Sequence, residues 1–108
     1  ARYLSTMTKV EIEVDGKRYP SVEHCFQAAK YKHLLTLLGD KAKAKPLQDR
    51  FQVGGPLGSL DPIKVKSHGG KGAMKRLGVA LDVEAWNKHR DSAMWEALQA
   101  RYAVDEKF

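Results

Sequence analysis

Residues Tyr19–Tyr31 read YPSVEHCFQAAKY, and this stretch holds both the start of a helix and a group of polar residues. Ser21 follows a proline and belongs to the residue types that cap helix N-termini. From Val22 to Leu38 apolar residues recur mostly at helical spacing, and Gly39 is a typical residue just past a helix end. The sequence therefore predicts a helix from Val22 to Leu38.

The polar residues of this stretch form one side of the predicted helix. Glu23, Gln27 and Lys30 are separated by steps of four and three residues, so they share a face, while apolar residues occupy another. Glu23 and His24 fall in the first turn, where the helix dipole favours a carboxylate. Two interpretations remain open: Glu23 is a general base at a cleft rim, or it is a helix-start acid that pairs with Gln27 and Lys30. Spacing alone favours the second.

A β-hairpin is predicted before this helix. The segment from Lys9 to Val14 alternates apolar and charged residues, as a strand covered on one side does. Asp15-Gly16 tolerates the positive φ of a tight turn, and Lys17 to Tyr19 is predicted to form the second, antiparallel strand. Further along the chain, Asp40 to Phe51 is expected to hold a short helix interrupted by Pro46, and the Gly- and Pro-rich segment from Val53 to Asp61 is expected to be a loop.

Two more helices are predicted in the second half. The glycine-rich segment Ser67–Gly72 leads into a helix from Ala73 to Leu77, with Gly78 as the stop. Asp82 is a plausible N-cap for the longest helix, from Val83 to Tyr102. Together with the hairpin, these elements predict a mainly α (α+β) fold.

Length and composition exclude several protein classes. The chain has 108 residues, enough for one domain over residues 1–108, and 43% apolar and 30% charged residues are ordinary for a globular protein. Because no apolar run is long enough to cross a bilayer and no secretory signal is visible, we expect no membrane association. A single cysteine, Cys25, cannot form an intrachain disulfide, which favours a cytoplasmic location.

Positive charge is concentrated in the middle of the chain. The net charge is +6, and the segment from Asp40 to Arg76 contains nine basic and three acidic residues. The basic residues are Lys41, Lys43, Lys45, Arg50, Lys64, Lys66, Lys71, Lys75 and Arg76. Such a segment favours an anionic partner, either a phosphorylated small molecule or nucleic acid, although a solvated lysine-rich surface is equally compatible.

YPSVEHCFQAAKY resembles the signature of the NADAR (YbiA-like) family of N-glycosidases. VEIEVDGKRYP is similar to the strand and Asp-Gly hairpin of that family, and AMKRLG to its Ala-x-x-x-Gly segment. WNKHRDSAMWEALQARY is similar to its Trp-containing helix. The resemblance extends over nearly the whole chain, from about Tyr3 to Phe108.

This resemblance implies an activity, a substrate class and site residues. The family hydrolyses N-glycosidic bonds to a phosphorylated ribose, in riboflavin-pathway intermediates or ADP-ribose conjugates, and nucleic acid can carry the substrate. It implies that Glu23 is the catalytic carboxylate, with His24, Gln27 and Lys30 binding substrate and no cofactor. A carboxylate suits this chemistry because cleavage at an anomeric carbon passes through an oxocarbenium-like state.

The chain departs from the family pattern in two places. Where the family has Ser-Asn-Phe, the chain has Ser5-Thr6-Met7. The family pattern also continues beyond the position of Phe108 into a Trp-Gly-x-Gly motif, so the domain is C-terminally incomplete relative to the family. Loss of activity with retained ligand binding is therefore a further hypothesis.

Three other features of the sequence bear on possible sites. Lys71 lies in SHGGKG, where successive glycine N–H groups before a helix could hold phosphate, although a plain turn explains the same residues. The four histidines show no spacing that places two of them on one metal ion, so no metal is expected. Trp86 and Trp95 fall on opposite sides of the last helix; Trp86 is expected in the core and Trp95 on a partner surface.

Three functions therefore compete on sequence grounds: an N-glycosidase, a nucleotide- or nucleic-acid-binding module that uses the basic segment 40–76, and an inactive domain that still binds ADP-ribose-like ligands. Aromatic residues are scarce in the basic segment, so it lacks stacking platforms for bases. The sequence does not fix the oligomeric state.

Overall fold

The computed structural model describes residues 9–35 and 41–105, and these form a helix-rich fold with one two-stranded antiparallel sheet. This confirms the α+β prediction at the level of fold class. The elements, in chain order, are β1 (Ile12–Val14), β2 (Lys17–Tyr19), α1 (Val22–Lys30), α2 (Lys41–Asp49), α3 (Pro62–Lys66), a 3₁₀ turn (Ser67–Gly69), α4 (Lys71–Arg76) and α5 (Val83–Asp105). None of the described helices is both long and apolar enough to span a membrane.

The predicted hairpin is confirmed. Ile12 pairs with Tyr19 and Val14 with Lys17. The turn places Asp15 at φ 52° and Gly16 at φ 75°, the left-handed pair that a two-residue turn requires. Ile12 and Tyr19 are both buried, so the inner end of the hairpin packs into the core.

Helix α1 begins where the sequence predicts and ends earlier. Ser21 caps it, because the Ser21 Oγ accepts a hydrogen bond from the His24 N–H at 3.1 Å. The helix stops at Lys30, so the prediction of a helix continuing to Leu38 is wrong for residues 31–35. Residues 36–40, including the expected stop at Gly39, lie outside the described residues.

A long-range pairing explains the early end of α1. Leu34 forms an isolated antiparallel bridge with Leu81. The Leu35 N–H donates to the Ala80 carbonyl at 2.9 Å, and the Asp82 N–H donates to the His33 carbonyl at 2.8 Å. These bonds satisfy backbone groups that a longer helix would have satisfied internally. The apolar spacing of residues 34–38 could not reveal a partner 47 positions away.

Other boundaries differ in smaller ways. Helix α2 runs through Pro46 without a break, so the prediction that proline interrupts this helix is wrong. Helix α3 was not predicted, whereas the loop before it was. Helix α4 begins at Lys71 and ends before Gly78, whose φ is 74°. The Asp82 Oδ1 accepts from the Ala85 N–H at 3.1 Å, which confirms the predicted N-cap of α5.

Helix α1 is the centre of the core. It packs against α5, α3, α2 and the hairpin. The buried cluster consists of Ile12, Tyr19, Val22, Cys25, Ala28, Tyr31, Phe51, Leu57, Val65, Met74 and Ala97. Trp86 is also buried, as predicted, whereas 58% of Trp95 is exposed.

A buried histidine joins α1 to the loop at residues 50–61. His24 is fully buried; its Nε2 lies 3.1 Å from the Leu57 carbonyl and its Nδ1 lies 2.6 Å from the Ser21 Oγ. A carbonyl only accepts, so Nε2 carries the proton and the Ser21 hydroxyl donates to Nδ1. Both ring nitrogens of the neutral side chain are thereby satisfied.

This contact predicts a pH dependence of stability. The pKa of His24 lies below its ordinary value of 6.5, and burial of the ring is the largest of several causes. The unfolded chain therefore binds the proton more tightly, and stability is greatest above pH 6.5 and falls as pH decreases below it. Urea unfolding at a series of pH values should show this slope in the parent and a smaller slope in His24→Gln.

The control separates His24 from the other histidines. Burial also lowers the pKa of His33, so His33→Gln should remove a separate part of the slope. A His24→Gln variant with the parental slope would show that His24 does not couple to folding.

Candidate functional site

A cleft of about 450 Å³ lies where α1, α3 and α5 meet. Its lining combines two carboxylates, three cationic side chains, one amide and an apolar wall. The lining residues are Glu23, Phe26, Gln27, Lys30, Lys66, Trp86, Arg90, Asp91 and Met94. Three of the residues singled out in the sequence, Glu23, Gln27 and Lys30, are therefore in the same cleft.

Glu23 is the buried carboxylate of the cleft. It is the second residue of α1 and only 4% exposed. Its Oε1 accepts a hydrogen bond from the Gln27 Nε2 at 2.6 Å. The positive end of the α1 dipole favours the negative charge at this position. The burial exceeds what a helix-start acid on a surface would show, so the carboxylate is held in one orientation against the cleft.

The backbone of the 3₁₀ turn lies directly against the side chain of Gln27. Its Oε1 is buried and has no hydrogen-bond partner among the described residues. A Cβ built at Gly69 would lie 1.8 Å from this oxygen, so the 3₁₀ turn can pass here only because residue 69 has no side chain. Gly69 therefore fixes the amide that in turn holds Glu23.

Lys30 lies beside this pair. Its Nζ donates a long hydrogen bond of 3.4 Å to the Gly69 carbonyl. Burial lowers the pKa of Lys30 from its ordinary value. The nearby Glu23 carboxylate raises this pKa, whereas the positive charges of Arg90 and Lys66 lower it further. These four charged groups are thus close enough to influence one another. With Asp91 included, three cations and two carboxylates line the cleft, so its balance of charge is positive and an anion could neutralise it.

Apolar side chains form the opposite wall. The rings of Phe26 and Trp86 lie 5.1 Å apart between centroids, tilted by 54°. Trp86, Arg90 and Met94 are spaced by four residues and all reach the cleft from α5. This spacing is readable in the sequence and places Arg90 on the same face of α5 as Trp86. Lys66 had no such signal because α3 itself was not predicted.

The structure does not bring two of the predicted binding residues to this cleft. His24 points into the core and uses both ring nitrogens there, as described above. Lys71 is the first residue of α4 and lines a separate, apolar groove on the other side of Lys30 and Gly69. Within SHGGKG, Ser67–Gly69 forms the 3₁₀ turn, and its backbone contacts are with Tyr31 and Lys30.

The fold also pairs two histidines that are distant in sequence. The rings of His33 and His89 are stacked, with centroids 4.7 Å apart and planes 7° apart. Parallel rings direct their nitrogen lone pairs side by side and not toward one point. Over residues 9–35 and 41–105, no three His, Cys, Asp or Glu side chains are grouped so that they could hold a metal ion.

The cleft can bind an anion and stabilise positive charge. Lys30, Lys66 and Arg90 supply charge-assisted donors of the type that phosphate prefers. Glu23 can stabilise a cationic centre or accept a proton from water. The apolar wall can cover a flat group. Comparison of the chain with protein-family models, with curated proteins and with solved structures found no match.

A substitution at Gly69 tests the packing that holds the site. In Gly69→Ala the new methyl group must displace the Gln27 amide, so we expect a loss of about 1–3 kcal/mol in the free energy of unfolding, as for other overpacked positions. Urea denaturation measures it.

Gly72→Ala is the matched control for this substitution. A Cβ at Gly72 meets nothing within 4 Å, and the residue lies in α4, so alanine should be neutral or stabilise by up to about 1 kcal/mol. Equal stability of the two variants would contradict the close approach at Gly69.

Proposed function

We propose that the chain is an N-glycosidase that hydrolyses the bond between a nitrogen and a phosphorylated ribose, with Glu23 as the catalytic carboxylate. The substrate class that the sequence resemblance implies is a riboflavin-pathway intermediate or an ADP-ribose conjugate, free or carried on nucleic acid in the cytoplasm. The observation that carries the proposal is the buried Glu23 carboxylate in a cleft that also holds Lys30, Lys66 and Arg90.

In the proposed reaction water replaces the nitrogen at the anomeric carbon. The C–N bond breaks, its electron pair leaves with the nitrogen, and positive charge develops on the ribose ring. Glu23 stabilises this charge and accepts a proton from the attacking water. The departing nitrogen takes up a proton from a solvent water, and Glu23 later returns its proton to solvent, so that the overall change is the addition of one water molecule. Asp91 is the second carboxylate in the cleft; it is exposed and has no assigned step in this scheme.

Gln27 has a positioning role in this scheme. Its amide donates to one carboxylate oxygen of Glu23 and leaves the other oxygen for substrate or water. Lys30 and its two neighbouring cations would hold the phosphate, and the ring of Trp86 would cover the sugar or the base. Each group then has one task that its chemistry suits.

Glu23→Gln tests the catalytic role. Glutamine keeps the shape but cannot accept the proton or stabilise the ring charge, so turnover should fall by about a hundredfold or more. Substrate affinity should change little. The measurement is a steady-state assay of base or amine release from candidate N-ribosyl phosphates, with the longest form of the chain.

The matched control is Glu84→Gln. Glu84 is also an acid in the first turn of a helix, α5, but it is exposed and does not line the cleft. Its substitution should leave turnover at the parental value. Parental turnover in Glu23→Gln would remove Glu23 from the chemistry.

A second experiment tests the anion site. In the double variant Lys66→Gln/Arg90→Gln, the dissociation constant for ribose 5-phosphate should rise by about tenfold, since two charge-assisted contacts are lost. Affinity of the parent should fall as salt increases. The control is Lys64→Gln/Arg76→Gln, which removes two exposed charges outside the cleft. Equal affinity of the two double variants by calorimetry would refute a phosphate site in the cleft.

A binding module without catalysis is the second candidate. Lys64, Lys66, Lys71, Lys75 and Arg76 are exposed on α3 and α4, which gives this side of the molecule a dense positive surface. Nucleic acid would bind there through phosphate contacts with strong salt dependence. Anisotropy titration with labelled DNA and RNA measures this binding. The base-release assay distinguishes the two candidates, because a pure binding module would bind nucleic acid and release no base from any candidate substrate.

A further inference from the structure

A second cavity, which we call the apolar groove, lies next to the cleft. It measures about 800 Å³ and is bounded by α4, by residues 78–81 and by the first residue of α5. Lys30 and Gly69 line it, and Lys30 also lines the cleft, so these two residues separate the cavities. Apart from Lys30, the residues that line the groove have no role in the proposed reaction.

The wall of the groove is mainly apolar. Met74 of α4 is 2% exposed and forms part of the floor. Val79 and Leu81 contribute from the segment that pairs with Leu34, and half of the Val83 surface is exposed at the edge. Apolar surface that remains open to water in this way is favourable to cover.

The charged residues of the groove are all cations. Lys30, Lys71 and Lys75 line it, and no Asp or Glu is among its described lining residues. A neutral apolar ligand would leave these charges unused, and a cationic ligand would be repelled. The complementary ligand therefore has an apolar body and a negative group near the lysines.

The size of the groove distinguishes a small molecule from a protein. A volume of 800 Å³ lies within the range of about 300–1,000 Å³ that is usual for small-ligand sites. Among the described residues, twelve line the groove, fewer than the roughly 20–30 residues on each side of a standard protein interface. Both comparisons favour a small molecule.

We propose that the apolar groove is a binding site for a small molecule with an apolar body and a single anionic group, distinct from the cleft that holds Glu23. The body lies against Met74, Val79, Leu81 and Val83, and the anionic group is held by Lys71 and Lys75. Binding of this molecule does not require the N-glycosidase reaction.

The test uses a dye of this chemistry. 8-Anilinonaphthalene-1-sulfonate has an aromatic body and one sulfonate, and its fluorescence rises in an apolar site. The expected result is saturable binding of one dye per chain, with affinity that falls as salt increases. N-phenyl-1-naphthylamine has the same aromatic body without the charge, and its affinity should be about fivefold lower.

Matched variants locate the bound dye. Val83→Asp places a carboxylate at the edge of the groove, at a helix start where it is tolerated, and should abolish most binding. Ile63→Asp makes the same change at a 73% exposed residue of α3 outside the groove, and should bind as the parent does. Lys71→Gln/Lys75→Gln should weaken binding of the sulfonate dye about fivefold and leave binding of the neutral dye unchanged. The control Lys64→Gln/Lys88→Gln should bind both dyes as the parent does.

Each outcome decides the proposal. Non-saturable binding, or equal loss in Val83→Asp and Ile63→Asp, would overturn the location. Equal affinity for the charged and neutral dyes would overturn the anionic component. Circular dichroism verifies that each variant is folded. Because Glu23 takes no part, the titration gives its answer whether or not the chain hydrolyses any N-glycoside, and the two proposals can fail separately.

Discussion

The start of α1 is buried together with its polar side chains, and much of the structure serves to satisfy them. Ser21 and His24 bond each other, and the remaining nitrogen of the His24 ring requires a carbonyl from the loop at residue 57. A buried donor without a partner costs about 1–3 kcal/mol, so that loop is held close to α1. The loop in turn donates from the Val53 N–H to the Arg18 carbonyl, which connects it to the hairpin.

The second turn of α1 imposes a related constraint on the candidate site. Gln27 orients Glu23, and the 3₁₀ turn packs on Gln27 so closely that any side chain at position 69 would have to displace the Gln27 amide. The Tyr31 hydroxyl donates to the His68 carbonyl at 2.6 Å and holds the same turn from the far end of α1. Helix α3, which precedes the turn and carries Lys66, is placed by these contacts. Glu23 and Lys66 therefore depend on the same contacts between α1 and the 3₁₀ turn.

Local sequence signals predicted local structure well, and failed where distant segments meet. The Asp15-Gly16 turn and the Ser21 and Asp82 caps depend on residues a few positions apart, and all three are confirmed. The end of α1 depends on Leu81, and α3 is a five-residue helix stabilised through the buried Val65, so neither was readable from its own segment. The same limit applies to the site: spacing within α1 grouped Glu23, Gln27 and Lys30, but only the fold adds Lys66.

The placement of the two tryptophans gives the protein an optical readout of its own. Trp86 is 5% exposed and forms part of the cleft wall beside Phe26, whereas Trp95 on the same helix is 58% exposed. An aqueous quencher such as iodide reaches Trp95 and not Trp86, so the emission that survives quenching comes mainly from the residue at the cleft. The intrinsic fluorescence of the unlabelled chain thus separates events in the cleft from events on its outer surface.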